Sequence, residues 1–218
     1  MFEGREYFLS NAKYLKLNLD FPHELIAQEA SALRSKFVEY RSTYKTKGWY
    51  SLPIIGKSSE EPYAWDQYKE FNTARDAAPY MQYTDIAEKC PVTVEWLKNV
   101  YPSSSYARVR FMLLEPGGYI EPHKDTEYPV LGAINIAITN PQNCKWYWED
   151  GESLEFKPGD AYAMNISYTH SIKNDSNEDR YHLIVHHYDS TPKWKNLFEL
   201  AIKEQNAQGQ FSYSTELF

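Results

Sequence analysis

Residues 119–182 read YIEPHKDTEYPVLGAINIAITNPQNCKWYWEDGESLEFKPGDAYAMNISYTHSIKNDSNEDRYH. Short apolar runs recur through this stretch and just beyond it: Leu131–Thr139, Lys145–Trp148, Leu154–Phe156, Ala161–Asn165, Tyr168–Lys173 and Tyr181–Tyr188. Between them stand Asn140-Pro141-Gln142-Asn143, Glu149-Asp150-Gly151 and Lys157-Pro158-Gly159-Asp160. Each carries the Pro, Gly, Asn or Asp chemistry that closes tight turns. Many strand-sized segments with regular turns predict a β-sandwich or barrel. Just upstream, from Tyr106, the pattern has period two: Arg108, Arg110 and Met112 share one face, Val109, Phe111 and Leu113 the other. The arginine face is either solvated or turned into a cavity.

Working outward, Tyr14–Leu19 has alternating leucines and reads as extended. Asp20 is positioned to cap a helix with Pro22 in its first turn. Leu25, Ile26, Ala30, Leu33 and Phe37 recur at helical spacing, which predicts a helix to about Arg41. Cys90-Pro91 opens a second helix to Val100, ended by Pro102 and the serines after it. Thr191-Pro192 caps a last helix with an apolar stripe of Trp194, Leu197, Phe198, Ala201 and Ile202, and a polar tail follows Asn206. Residues 42–83 are less regular. Gly48–Gly56 reads as a short strand between turns and Ser58–Pro62 as a polar loop; the aromatics beyond either pack or wall a pocket. The expected content is α+β with a mainly β core, in one domain over 1–218. Within it, 1–105 is helical and mixed, 106–188 holds the strands, and 189–218 a helix and tail.

The formal net charge is −7 and no long basic run occurs, which argues against nucleic acid as a partner. Hydrophobic residues make up 42%, enough for a sizeable core. The two cysteines, Cys90 and Cys144, form no C-x-x-C pair. The start has no apolar signal core, and no segment approaches ~18 apolar residues. The expectation is a soluble cytoplasmic protein with reduced thiols and no membrane partner.

Six histidines occur, and two of them bracket the β region. His123 and Asp125 lie two apart, downstream of Gly117-Gly118; at a strand-to-loop exit both can turn onto one ion. His170 follows 47 residues later, far enough for several strands to bring it back. Two imidazoles and one carboxylate on one side of an ion leave other coordination positions open, as non-haem Fe(II) requires. Zinc can use the same set. H-x-D alone is a common chance match. Arg180 adds to it: ten residues after His170 and past a polar turn, it is spaced for a hairpin strand beside His170. There it either clamps a carboxylate through paired hydrogen bonds or forms a salt bridge with nearby acids. His182 and His186 share its face, as packing or supporting groups.

At these residues the chain resembles the aspartyl/asparaginyl β-hydroxylase family of Fe(II)/2-oxoglutarate-dependent oxygenases. One matching motif is Glu115-Pro116-Gly117-Gly118-Tyr119-Ile120-Glu121-Pro122-His123-Lys124-Asp125; the other runs from His170 through Asn174 and Arg180 to His182. The resemblance covers roughly residues 106–188. It implies a double-stranded β-helix (a cupin-like jelly roll) with flanking N-terminal and C-terminal helices, and His123, Asp125 and His170 as Fe(II) ligands. It further implies Arg180 on the distal carboxylate of 2-oxoglutarate, and O2 as oxidant. Where the family often has a co-substrate histidine and a nearby arginine, this chain has Asn135 and Ala133. Asn135 keeps a hydrogen-bond donor without a charge. The presence of Asp125 implies hydroxylation rather than halogenation. Arg108 and Arg110 are candidates to grip an acidic small-molecule or peptide substrate, with Trp146, Trp148 and Tyr162 as pocket walls. Two other readings use the same residues: a cupin-like metal hydrolase or isomerase, and a non-catalytic β-barrel that binds a ligand.

Overall fold

The computed structural model describes residues 3–40, 45–188 and 191–208. In chain order the elements are α1 (Glu3–Asn11), β1 (Tyr14–Leu17), α2 (His23–Ala32), β2 (Val38–Glu39), β3 (Thr46–Gly56), α3 (Ala74–Ala77), β4 (Gln82–Tyr83), α4 (Pro91–Asn99) and β5 (Tyr106–His123). There follow β6 (Leu131–Ala137), β7 (Cys144–Trp148), β8 (Ser153–Leu154), β9 (Ala161–Asn165), β10 (His170–Asn174), β11 (Arg180–His187) and α5 (Pro192–Ala207). The strands pair antiparallel in the order β1-β9-β6-β11-β5-β10-β7-β8, with β3 also on β5 and β2 and β4 on β3. The sheet curls into a jelly roll with helices on its outside, the double-stranded β-helix that the motifs imply.

β5 makes the curl possible. Its first half, Tyr106 to Leu114, pairs with β11, from Tyr106↔His187 to Leu114↔Arg180. Its second half pairs with β10, at Tyr119↔Lys173, Ile120↔Ile172 and His123↔His170. The bend between the halves falls at Glu115-Pro116-Gly117-Gly118. Gly117 has φ +65°, which glycine adopts without a Cβ penalty. A Cβ on Gly118 would lie 2.7 Å from the Glu115 carbonyl oxygen and 2.9 Å from that of Lys47. Asn174, fully buried, holds the bend from the other side. Its Nδ2 donates to the carbonyls of Leu114, Glu115 and Glu178, at 2.9, 3.1 and 2.8 Å.

Strand alternation separates two interiors. Val109, Phe111 and Leu113 join Ile134, Ile136, Leu183 and Val185 in a core closed by helix residues that include Phe8, Ile26, Leu97, Trp194 and Phe198. Each such side chain contributes roughly 1.5–3 kcal/mol on burial. The opposite faces of the same strands look into the roll, where Leu114, Ile120, Trp146 and Ile172 form a second cluster.

The first helix differs from expectation. α2 ends at Ala32, not near Arg41, and Leu25 is 51% exposed. A short 3-10 turn leads instead into β2, where Val38 and Glu39 pair with Ser51 and Tyr50. Tertiary strand pairing overrides the helical spacing there. Asp20 does not cap with its side chain; its carbonyl accepts from Trp96 Nε1 at 2.5 Å. β3 is longer than the Gly48–Gly56 reading and runs along both halves of β5. α1 was not expected from the sequence. α4 and α5 fall as expected, with Thr191 Oγ1 accepting from Trp194 N at 3.1 Å. The tail beyond Gln208 lies outside the described residues. Cys90 and Cys144 are free and buried. No helix among the described residues is long and apolar enough to cross a membrane.

Candidate metal centre

His123 is the last residue of β5 and His170 the first of β10, in register with each other. Their rings therefore sit side by side, centroids 4.3 Å apart. Asp125 follows in the loop, where its backbone N–H bonds the Ile166 carbonyl at 3.2 Å. The ligand atoms of His123, Asp125 and His170 all lie within 4.8 Å of one another, and no other such group of three occurs among the described residues. Asp125 Oδ1 is 3.5 Å from His123 Nε2.

Each imidazole is held from behind. His123 Nδ1 contacts the Glu121 carbonyl at 2.7 Å and His170 Nδ1 the Tyr168 carbonyl at 2.9 Å. A carbonyl only accepts, so each Nδ1 carries the proton and each Nε2 presents its lone pair. Trp146 stacks on His170, centroids 4.5 Å apart with planes 15° from parallel. Burial lowers the His170 pKa and favours the neutral ligand form. At Asp125, desolvation pushes the pKa up, but the neighbouring His123 and His170 rings and the Arg110 guanidinium outweigh it. The net direction is down, so the carboxylate is ionised. Two neutral nitrogens and one anionic oxygen suit a divalent first-row metal.

The triad opens onto a cavity of about 440 Å³ inside the roll, within the usual range for small-molecule sites. Arg108, Arg110, Asn135, Trp146 and Arg180 line it together with the triad. Asn135 Nδ2 donates to the Ala133 carbonyl at 3.2 Å. A slightly larger groove of about 490 Å³ includes Lys16, Asp160, Tyr162 and Gln205 and lies away from the triad.

Arg180 is 5% exposed. Its Nη2 donates to His182 Nδ1 at 2.9 Å, and its Nε has no hydrogen-bond partner among the described residues. His182 is neutral: burial and the Arg180 charge hold its pKa well below the usual histidine range. Among the described residues no carboxylate pairs with this guanidinium, and a buried, unpaired charge is costly unless an anion arrives. The triad and Arg180 thus fit a divalent metal together with a small carboxylate ligand.

Three placements differ from the sequence reading. β10 and β11 do not pair with each other; both border β5, on its two halves. Arg180 therefore reaches the cavity from the wall opposite His170, not from an adjacent strand, because the bend of β5 separates the two strands. Trp148 and Tyr162 are not among the wall residues of this cavity: Trp148 stacks on Tyr14, and Tyr162 lines the other groove. Of residues 57–83, Ala64, Asp66 and Gln67 line the cavity, whereas Tyr63, Tyr68 and Phe71 pack with Ala77 and Met81 in a small cluster of their own. Tyr40, Trp49 and Ile172 also line the cavity and were not singled out. Ile172 was legible from alternation with His170; Tyr40, in an irregular connection, carries no local signal.

The sequence model of the aspartyl/asparaginyl β-hydroxylase family matches residues 21–189. No curated protein matches the chain. Among solved structures, a prolyl-4-hydroxylase of Pseudomonas putida is 11% identical, covering 85% of this chain and 97% of its own, with a TM-score of 0.45. A 2OG-Fe(II) oxygenase family oxidoreductase from Burkholderia pseudomallei is 11% identical, covering 84% of this chain and 87% of its own, with a TM-score of 0.47. A viral collagen prolyl hydroxylase of Paramecium Bursaria Chlorella virus-1 is 11% identical, covering 82% and 97%, with a TM-score of 0.40.

Proposed function

The chain belongs to the aspartyl/asparaginyl β-hydroxylase family of oxygenases, and we propose that it hydroxylates an unactivated carbon of a small acidic substrate or an amino-acid or peptidyl residue. It would do so as an Fe(II)/2-oxoglutarate-dependent dioxygenase releasing succinate and CO2. The observation that carries this reading is the pairing, in one cavity, of the His123–Asp125–His170 cluster with the buried guanidinium of Arg180, which has no carboxylate partner among the described residues.

His123, Asp125 and His170 would hold the iron. Bound iron, with 2-oxoglutarate and O2, supplies the oxidant that turns C–H into C–OH. The remaining work belongs to the chain. Arg180 would take the distal carboxylate of 2-oxoglutarate through its fork of donors, steadied by the acceptor nitrogen of His182. Asn135 would supply a neutral donor on the neighbouring wall. The Glu121 and Tyr168 carbonyls keep both imidazoles in the ligating tautomer, and Trp146 prevents His170 from tilting. Arg108 and Arg110 would bind the substrate.

Anaerobic titration with Fe(II) and then 2-oxoglutarate tests this. A weak visible charge-transfer band is expected on adding 2-oxoglutarate, and none in His170→Ala. Iron binding without the band would favour other metal chemistry; no metal binding at all would favour a ligand-binding barrel.

A further inference from the structure

Arg108 and Arg110 lie on β5, two residues apart, and both face the cavity. They are 8% and 6% exposed. Arg108 Nη2 lies 3.3 Å from His186 Nε2, and Arg110 Nη1 donates to the Pro62 carbonyl at 3.3 Å. Arg108 Nη1 and Arg110 Nε have no hydrogen-bond partner among the described residues. The Arg110 guanidinium lies over the Tyr40 ring, 4.5 Å from its centroid. Among the described residues no carboxylate forms an ion pair with either arginine. Burial, then the charge of Arg110, lowers the Arg108 pKa to about 10, so Arg108 remains cationic at neutral pH. Buried like charges are costly without a counter-charge.

The count of charges says how large that counter-charge is. On the reading above, Fe(II) brings two positive charges, Asp125 one negative, 2-oxoglutarate two negative and Arg180 one positive. These cancel. Asp66, on the cavity rim, is exposed and screened by water. Two positive charges are left, on Arg108 and Arg110. A zwitterionic amino acid would supply one negative charge and press its ammonium toward two guanidiniums.

We propose that Arg108 and Arg110, with Tyr40 beside them, form a second anion site, distinct from that of Arg180, which grips a compact dianionic group of the substrate: a dicarboxylate or a phosphate monoester. The charge count rests on the dioxygenase reading; the unpaired guanidinium atoms do not.

Isothermal titration of the anaerobic protein, loaded with Fe(II) and saturated with 2-oxoglutarate, tests the site with three probes: malate, inorganic phosphate and the monoanion lactate. Malate or phosphate should bind at least about tenfold more tightly than lactate; the tighter of the two identifies the dicarboxylate or the phosphate class. Arg110→Gln should lower that affinity by about tenfold or more while leaving 2-oxoglutarate affinity within about twofold. Arg110→Lys should recover part of the loss, which separates charge from misfolding. Arg180→Gln should do the reverse, weakening 2-oxoglutarate and sparing the dianion. Lactate binding as tightly as malate and phosphate, no binding of either dianion, or equal loss of dianion and 2-oxoglutarate in Arg110→Gln would each overturn the proposal. If 2-oxoglutarate itself fails to bind the wild type, yet a dianion binds with the same dependence on Arg110 and none on Arg180, the dioxygenase reading fails and the dianion site stands.

Discussion

Two backbone carbonyls decide what the histidines of this site can do. Because Glu121 and Tyr168 accept from Nδ1, both rings offer Nε2 to the same point. Arg180 has a different task. It is no ligand, so Arg180→Ala is expected to weaken 2-oxoglutarate binding by about 2–5 kcal/mol. Fe(II) affinity measured without co-substrate should change little; equal loss of both would mean the residue supports the fold. His182 and His186 carry a second expectation. Burial and neighbouring guanidiniums hold both pKa values well below 6.5. In the unfolded chain each takes up a proton as pH falls below that value, and in the folded chain it does not. The unfolded state then binds more protons, so stability falls with falling pH. For each histidine the slope rises toward a limit of about 1.4 kcal/mol per pH unit as pH falls below 6.5. Urea unfolding between pH 6.5 and 5.5 should show this, and His182→Asn should remove one histidine's share of the slope whatever it does to absolute stability. An unchanged slope would mean that His182 is protonated in the fold.

At the scale of elements, β5 carries the site. Its first half places Arg108 and Arg110, its second half ends on His123, and the bend between them sets one against the other. Arg34 bridges Glu115 at the bend and Asp179 in the β10–β11 turn, at 2.9 and 2.5 Å. Gly118 is the tight point, since two of the three nearest atoms to an added Cβ are backbone oxygens, which cannot swing aside. Gly118→Ala is expected to lower stability by about 1–3 kcal/mol. It should also lower Fe(II) affinity, because His123 and Asp125 follow directly on the bend. Gly117 has open space around its Cβ position, and its demand is the positive φ alone; Gly117→Asn should keep metal affinity. A Gly118→Ala protein with wild-type stability and metal binding would show that the bend is set elsewhere.

Across the whole molecule, one side of the roll is sealed by helices and the other holds the cavity. Residues 63–81 contribute a small satellite cluster that is separate from both larger ones. Just ahead of them, Arg110 donates to the Pro62 carbonyl. Regions with few buried apolar contacts open first. Amide hydrogen exchange should therefore be faster over residues 63–81 than over β5 and β11, and equal protection would place the segment in the same cooperative unit as the roll.

The sequence by itself determined most strands from β5 onward, their turns and the candidate His123–Asp125–His170 set. Period-two alternation, Pro-Gly turns, H-x-D at a strand exit and a histidine followed ten residues later by arginine are all local patterns. Local patterns survive folding wherever no long-range pairing competes with them. At Val38–Glu39 one did compete, and α2 stopped at Ala32. Only the tertiary structure decided which wall each residue occupies. Alternation says that Arg108 and Arg110 oppose Val109 and Phe111, but not whether the arginine face meets water; closure of the sheet turned it inward. Spacing brought Arg180 near His170, but the bend of β5 set them on facing walls. The aromatics at 63–71 were legible as rings and not as packing, because their partners, Ala77 and Met81, are chosen by the fold of a segment without regular period. Each of these outcomes depends on contacts between residues far apart in the chain, which no window of sequence contains.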